Sequence, residues 1–164
     1  MEILTEKQIL QKTKRLAIEL LEHNYNEEKL YLIGVNNNGA KFADMLVTEL
    51  KRITAIKIIQ SHIRLSPANP IDSPINLKID KNELLGQTVV VVDDVANSGR
   101  TLFYACKPLL DTLPKKLETV VLVDRTHKSF PIKVDYVGMS LATTLLEDID
   151  VRIRNVEEMS VHLV

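Results

Sequence analysis

Val89-Val90-Val91-Val92-Asp93-Asp94-Val95-Ala96-Asn97-Ser98-Gly99-Arg100-Thr101 is the stretch that decides the fold. Its four consecutive valines are apolar on both faces and too few for a helix, the pattern of a strand buried in a parallel sheet. Two aspartates end the run, a glycine-containing turn follows, and Leu102, Ala105, Leu109 and Leu113 recur near helical spacing. The segment therefore predicts a strand over residues 88–93, a loop, and a helix. In that loop the backbone N–H groups of residues 96–99 can curl inward at the start of the helix, where an anion is favoured. Ser98 and Thr101 add hydroxyl donors, Gly99 lets the backbone approach closely, and Arg100 adds positive charge. Asp93 and Asp94 only accept hydrogen bonds, so they suit sugar hydroxyls or the water shell of a metal. A helix or turn cap needs one such residue; the whole set suits a sugar phosphate.

Working outward, Leu30-Tyr31-Leu32-Ile33-Gly34-Val35 and Val120-Val121-Leu122-Val123 are two further short apolar runs. The first is followed by Asn36-Asn37-Asn38-Gly39, read as a polar turn, and the second ends in Asp124. Thr5 and Gln8 form a capping-box pattern ahead of Ile9, Leu16, Ala17, Leu20 and Leu21, which predicts an amphipathic helix ending near Asn24. Ala43, Leu46, Val47 and Leu50 predict a second helix, and residues 54–60 and 134–138 are strand-like. Pro67, Pro70 and Pro74 make residues 61–76 a long loop. Alternating strands and helices imply an α/β fold, with a central, mainly parallel β-sheet covered by helices on both faces. Ligands of such sheets gather at the carboxyl ends of the strands. Here that places residues 36–39, 93–101 and 124–127 around one cleft.

The 164 residues are 45% hydrophobic and 26% charged, enough apolar material for one core, and a single domain over residues 1–164 is expected. With 21 basic and 22 acidic residues the net charge is -1, so no global field draws the chain to nucleic acid or anionic membrane. Cys106 is the only cysteine, which excludes an intrachain disulfide and a cysteine-rich zinc cluster. No stretch is long and apolar enough to span a bilayer, and the first residues lack a signal-peptide pattern, so a cytoplasmic location is expected.

The string from Val91 to Thr101 resembles the phosphoribosyl pyrophosphate motif of type I phosphoribosyltransferases, in which two acidic residues follow a strand and precede a Thr/Ser-Gly-x-Thr turn. The resemblance implies that Asp93 and Asp94 hold the ribose hydroxyls and that Ala96, Asn97, Ser98, Gly99, Arg100 and Thr101 wrap the 5-phosphate. It makes Asn36, Asn37, Asn38 and Gly39 the pyrophosphate loop, and residues 61–76 the flexible hood, with Arg64 its candidate phosphate contact. It also implies magnesium carried by the diphosphate rather than by the protein, a nucleobase as second substrate, and a homodimer.

Asp124-Arg125-Thr126-His127 and Pro131-Ile132-Lys133-Val134-Asp135-Tyr136-Val137-Gly138 most resemble the bifunctional PyrR-like group, pyrimidine-operon regulators with uracil phosphoribosyltransferase activity. That resemblance frames a base site with Arg125 and His127, closed by Leu145 and Leu146. The hypoxanthine-guanine group usually has an aspartate where Asn97 stands and a lysine where Asp124 or Arg125 stands. Asn97 is no carboxylate base, which disfavours a 6-oxopurine and leaves uracil. The resembled pyrophosphate loop usually carries Lys or Arg, whereas three asparagines supply no charge against the leaving group, so weak turnover is expected. One alternative is an RNA-binding attenuator with weak or no catalysis, using Arg125, Lys128, Lys133, Arg152 and Arg154, although the neutral total charge does not favour RNA. Purine transfer and a catalytically idle interaction protein are the others.

Overall fold

The computed structural model describes residues 1–164. Its main sheet has six strands in the order β4-β3-β2-β5-β6-β7, with β2 (Lys29–Val35), β3 (Lys57–Arg64), β4 (Asn76–Leu77), β5 (Thr88–Ala96), β6 (Lys116–Arg125) and β7 (Tyr136–Leu141). Every pairing in it is parallel except that of β4 with β3. The three valine-rich and leucine-rich runs form the central strands because both of their faces are covered. Leu30, Leu32, Val90, Val92, Val120 and Leu122 face one core with α1 (Glu6–Asn24) and α2 (Asn36–Ile53). Tyr31, Ile33, Val35, Val89, Val91 and Val121 face the other, under α3 (Arg100–Ala105) and a 3-10 turn over Lys107–Asp111. At about 25 cal/mol per Å² of apolar surface, alternate residues of each strand contribute to both cores.

The capping box is present at the start of α1: Thr5 Oγ1 accepts from Gln8 N at 3.4 Å and Thr5 N donates to Gln8 Oε1 at 2.9 Å. Other expected boundaries shift. Residues 36–39 are the first turn of α2 rather than a separate polar loop, because Asn36 takes a left-handed φ of 54° and turns the chain straight from β2 into the helix. β3 begins at Lys57 and continues to Arg64, through residues expected in the loop, because its parallel register with β2 runs from Lys29↔Lys57 to Val35↔Ile63. Its half-exposed flank tolerates Gln60, Ser61 and His62, and β4 then pairs at Asn76 and Leu77, so the irregular loop is residues 65–75. β5 continues past Asp93 to Ala96, because β6 pairs with it as far as Ala96↔Asp124. The helix expected through Leu113 ends at Ala105: Pro108 stands in the following 3-10 turn, and Leu113 is exposed. The last strand of the main sheet is Tyr136–Leu141, two residues later than residues 134–138 predict.

A second sheet has the order β1-β9-β8, from β1 (Glu2–Thr5), β8 (Ile149–Arg152) and β9 (Ser160–Leu163), all antiparallel. Each strand has four residues, too short for a periodicity to stand out. Leu4, Ile149, Val151, Ile153 and Val161 join the core on the side of α1 and α2. The small layer over the main sheet is thus built from the two chain ends, not from the proline-rich loop. No helix is long and apolar enough to cross a membrane.

Candidate functional site

The parallel register sets Gly34 beside Val92, so β2 ends where Asp93 and Asp94 begin to emerge from β5. Gly39 makes this approach possible. A Cβ there would lie 2.6 Å from Val92 O, inside any normal contact, and a tight 3.3 Å from Asp93 Cα, so only glycine lets the first turn of α2 lie against the β5 backbone. The result is a cleft of about 510 Å³ between two walls. Asn36, Asn37 and Asn38 line one, residues 93–102 line the other, and Arg64, Leu65 and Pro67 stand at the rim. All the residues expected around the sugar phosphate meet there except Gly39, which lies beneath the cleft as a spacer.

Asp93 and Asp94 are 6% and 8% exposed, so strand burial already removes them from bulk water. Asp93 Oδ1 accepts from Asp94 N at 2.9 Å. Burial, and next the neighbouring Asp94 charge, push the Asp93 carboxyl well above the ordinary carboxylate range. Asp94 Oδ2 accepts from Asn38 Nδ2 at 2.8 Å, and neither carboxylate pairs with a lysine or arginine. Such a pair of acids, facing a cleft and lacking a counter-ion, is suited to cationic or hydroxyl-bearing ligands.

Gly99 enters α3 with φ 85°, and a Cβ there would lie 2.7 Å from Ile132 Cγ2. Ser98 O accepts from Ser129 N at 2.9 Å and Phe130 N at 3.1 Å, which pins the turn. The N–H groups of Asn97, Ser98 and Gly99 have no acceptor within the protein, so they remain free for an anion. Because α3 has only six residues, what the turn can offer an anion is those amides and the hydroxyls of Ser98 and Thr101 more than a helix dipole. Arg100 does not point its charge freely into the cleft: Nη2 donates to Pro67 O at 2.6 Å. Arg64 Nη1 likewise donates to Asn37 Oδ1 at 2.7 Å, and Leu65 N donates to Asn36 Oδ1 at 3.0 Å. The loop root is fastened to both walls.

A second cleft of about 380 Å³ adjoins the first through Ser98 and is lined by Arg125, His127, Ser129, Thr143, Thr144 and Leu145. It gathers three of the four residues expected at a base site. Leu146 is absent from the lining and is 95% exposed, since residues 142–148 form an irregular turn in which both leucines point outward, Leu145 at 93%. Arg125 donates to Thr144 O rather than pairing with Asp124 or Asp135. Asp124 instead pairs with Lys128, which also donates to Arg125 O. Lys128 was legible only as a surface charge. No helical spacing could signal its pairing with Asp124, since residues 126–128 are irregular, and the tertiary structure sets its Cδ 3.3 Å from the Gly99 Cβ position. Of the five cations that could make a basic face, Arg125, Lys128 and Arg152 are engaged with Thr144, Asp124 and Asp150.

No cluster of three metal-binding side chains is present. Burial pushes the Cys106 thiol up to about 11, and it lies outside both clefts.

A family model of the phosphoribosyl transferase domain matches residues 1–156. A bifunctional protein PyrR from Haemophilus ducreyi is 30% identical over 168 residues, covering 96% of this chain and 92% of that protein. One from Brevibacillus brevis is 30% identical over 166 residues, covering 97% and 93%. Among solved structures, a hypoxanthine-guanine phosphoribosyltransferase from Bacillus anthracis matches with a TM-score of 0.77 at 22% identity, over 97% of this chain and 95% of that one. A hypoxanthine phosphoribosyltransferase of Trypanosoma cruzi also matches at 0.77, with 20% identity over 98% and 94%. These two structural likenesses bear on the fold.

Proposed function

Because this chain belongs to the phosphoribosyl transferase domain family and is a phosphoribosyltransferase, we propose that it transfers ribose 5-phosphate from phosphoribosyl pyrophosphate to uracil. The products are uridine monophosphate and pyrophosphate. The observation that carries this reading is the 510 Å³ cleft, where two uncompensated aspartates and a turn with free amides face the Asn36–Asn38 turn across one ligand-sized gap. Asp93 and Asp94 hold the ribose hydroxyls, residues 96–101 hold the 5-phosphate, and the asparagine turn meets the leaving pyrophosphate.

Three features favour uracil. Asn97 cannot take a proton as a carboxylate does. Asp124 or Arg125 stands where a purine enzyme would present a lysine, and the nearby Lys128 ammonium is occupied by Asp124 and the Arg125 carbonyl. The small adjoining cleft offers Arg125 and His127 to a base without an aromatic side chain for stacking.

No protein nucleophile enters the step. A ring nitrogen of uracil forms the bond to the anomeric carbon as the bond to pyrophosphate breaks; the electron pair of that bond leaves with the pyrophosphate, and the proton lost from that nitrogen passes to the departing pyrophosphate or to water. The protein's contribution is positioning, and electrostatic stabilisation of the positive charge that develops on the ribose beside Asp93 and Asp94. Magnesium enters as part of the diphosphate substrate. A cytoplasmic homodimer, with residues 1–164 as one catalytic unit, completes the reading.

The test is nucleotide formation from phosphoribosyl pyrophosphate with uracil, hypoxanthine, guanine and orotate. Uridine monophosphate as the main product is expected; turnover of a purine in preference to uracil overturns the base assignment. Asp94→Asn should lose phosphoribosyl pyrophosphate affinity by about tenfold or more, the worth of a hydrogen bond to a charged group, with the fold intact. Calorimetry showing unchanged affinity would remove Asp94 from the ribose site.

A further inference from the structure

Asn38 sits in the asparagine turn, yet its side chain is directed at the opposite wall. Its Nδ2 donates to Asp94 Oδ2 at 2.8 Å and to Val151 O at 3.2 Å, so both amide hydrogens are used. The two acceptors belong to different layers. Asp94 is on the central strand β5, and Val151 is on β8 of the small sheet. Both are nearly buried, at 8% and 6% exposure, where a hydrogen bond loses little to competing water. The adjacent Gly39 brings the Asn38 backbone close to β5, since a Cβ at position 39 would lie 2.6 Å from Val92 O.

We propose that Asn38 is a positioning residue for phosphoribosyl pyrophosphate: it fixes the Asp94 carboxylate for the ribose and ties it to the small sheet through Val151. With Oδ2 held by Asn38, the Asp94 carboxylate is fixed at the cleft wall beside the Asp93 carboxyl, which it meets side chain to side chain. The neutral amide matters. It orients the carboxylate without neutralising it, and leaves the negative charge available to the ribose as positive charge develops there. Asn38 does not reach the uracil cleft, whose lining excludes it. The inference rests on the proposed ribose role of Asp94.

The test compares Asn38→Ala, Asn38→Asp and Asn38→Ser with the unaltered full chain, using magnesium phosphoribosyl pyrophosphate as the calorimetric ligand and steady-state kinetics with the preferred base. Asn38→Ala should weaken diphosphate-sugar affinity by about tenfold, and Asn38→Asp by about a hundredfold, since the donor becomes a like charge beside Asp94. Asn38→Ser keeps a donor and should recover part of the loss. KM for the base should stay within about twofold, a split that general loss of structure would not produce. Melting curves identify any variant that fails to fold, and Asn38→Ser, the smallest change, then carries the comparison. Wild-type affinity in Asn38→Ala and Asn38→Asp, or equal losses for both substrates, overturns the proposal. If the unaltered chain itself binds no phosphoribosyl pyrophosphate, the ribose assignment of Asp94 fails and Asn38 falls with it. Normal wild-type binding with unaffected Asn38 variants removes Asn38 alone.

Discussion

Asp93→Asn is expected to make the protein more stable as pH rises, while weakening its hold on phosphoribosyl pyrophosphate. Burial, followed by the charge of Asp94, raises the Asp93 carboxyl pKa in the folded state. A group raised in this way contributes stability that is fully present below the unfolded value, near 4, and is lost as pH climbs through the higher folded value. Asparagine keeps an Oδ1 acceptor for Asp94 N but has no proton to lose. The melting-temperature gap between variant and wild type should therefore be small near pH 4 and widen as pH rises above it. For a chain of this length each kcal/mol corresponds to about 2–4 °C. Calorimetric scans at several pH values check this, and a gap that is constant or reversed would show that burial of the Asp93 charge carries no cost. Affinity should fall by about tenfold or more, because a ligand-facing carboxylate has become a neutral amide. Stability and binding then move in opposite directions, as expected where a binding site retains a buried charge against its own fold.

Gly39→Ala is the second large effect, and it is steric rather than electrostatic. The new methyl would meet Val92 O at 2.6 Å and Asp93 Cα at 3.3 Å, both backbone atoms of the central strand, so no side chain can swing aside. Overpacking of this kind costs about 1–3 kcal/mol, and relief requires α2 to move away from β5. That movement separates Asn38 from Asp94, so melting temperature and ligand affinity should fall together. Gly86→Ala is the contrast. Gly86 has φ 71° but open space around its Cβ position, so alanine there should cost about 1 kcal/mol of backbone strain and leave affinity untouched. Equal behaviour of the two variants in the binding measurement would show that the α2–β5 approach is not what positions the site.

The buried strands were legible because four to six consecutive apolar residues have one stable placement, in a sheet covered on both faces. The turn after β5 was legible because hydroxyls and a glycine occur together over a few residues directly behind a buried strand. Leu146 was misread because an irregular turn has no periodicity to orient its side chains. The predicted loop begins at residue 61 because Ser61 and His62 are polar and prolines follow, yet parallel pairing with β2 holds residues 61–63 in a strand. The ends of the chain were not recognised as a sheet, since a four-residue strand depends on its partners more than on its own sequence.

Local sequence by itself determined the α/β alternation, the run of acids, hydroxyls and glycine from Asp93 to Thr101, and the absence of charge in the asparagine turn. Each depends on the types of neighbouring residues, which carry their hydrogen-bonding and charge properties wherever the chain goes. Only the tertiary structure decided that Asp93 is buried enough to have its carboxyl pKa raised, that Lys128 is spent on Asp124, and that Asn38 joins Asp94 to Val151. Those outcomes depend on distances between residues 4 to 113 positions apart along the chain, and such distances are set by strand register and close backbone contact.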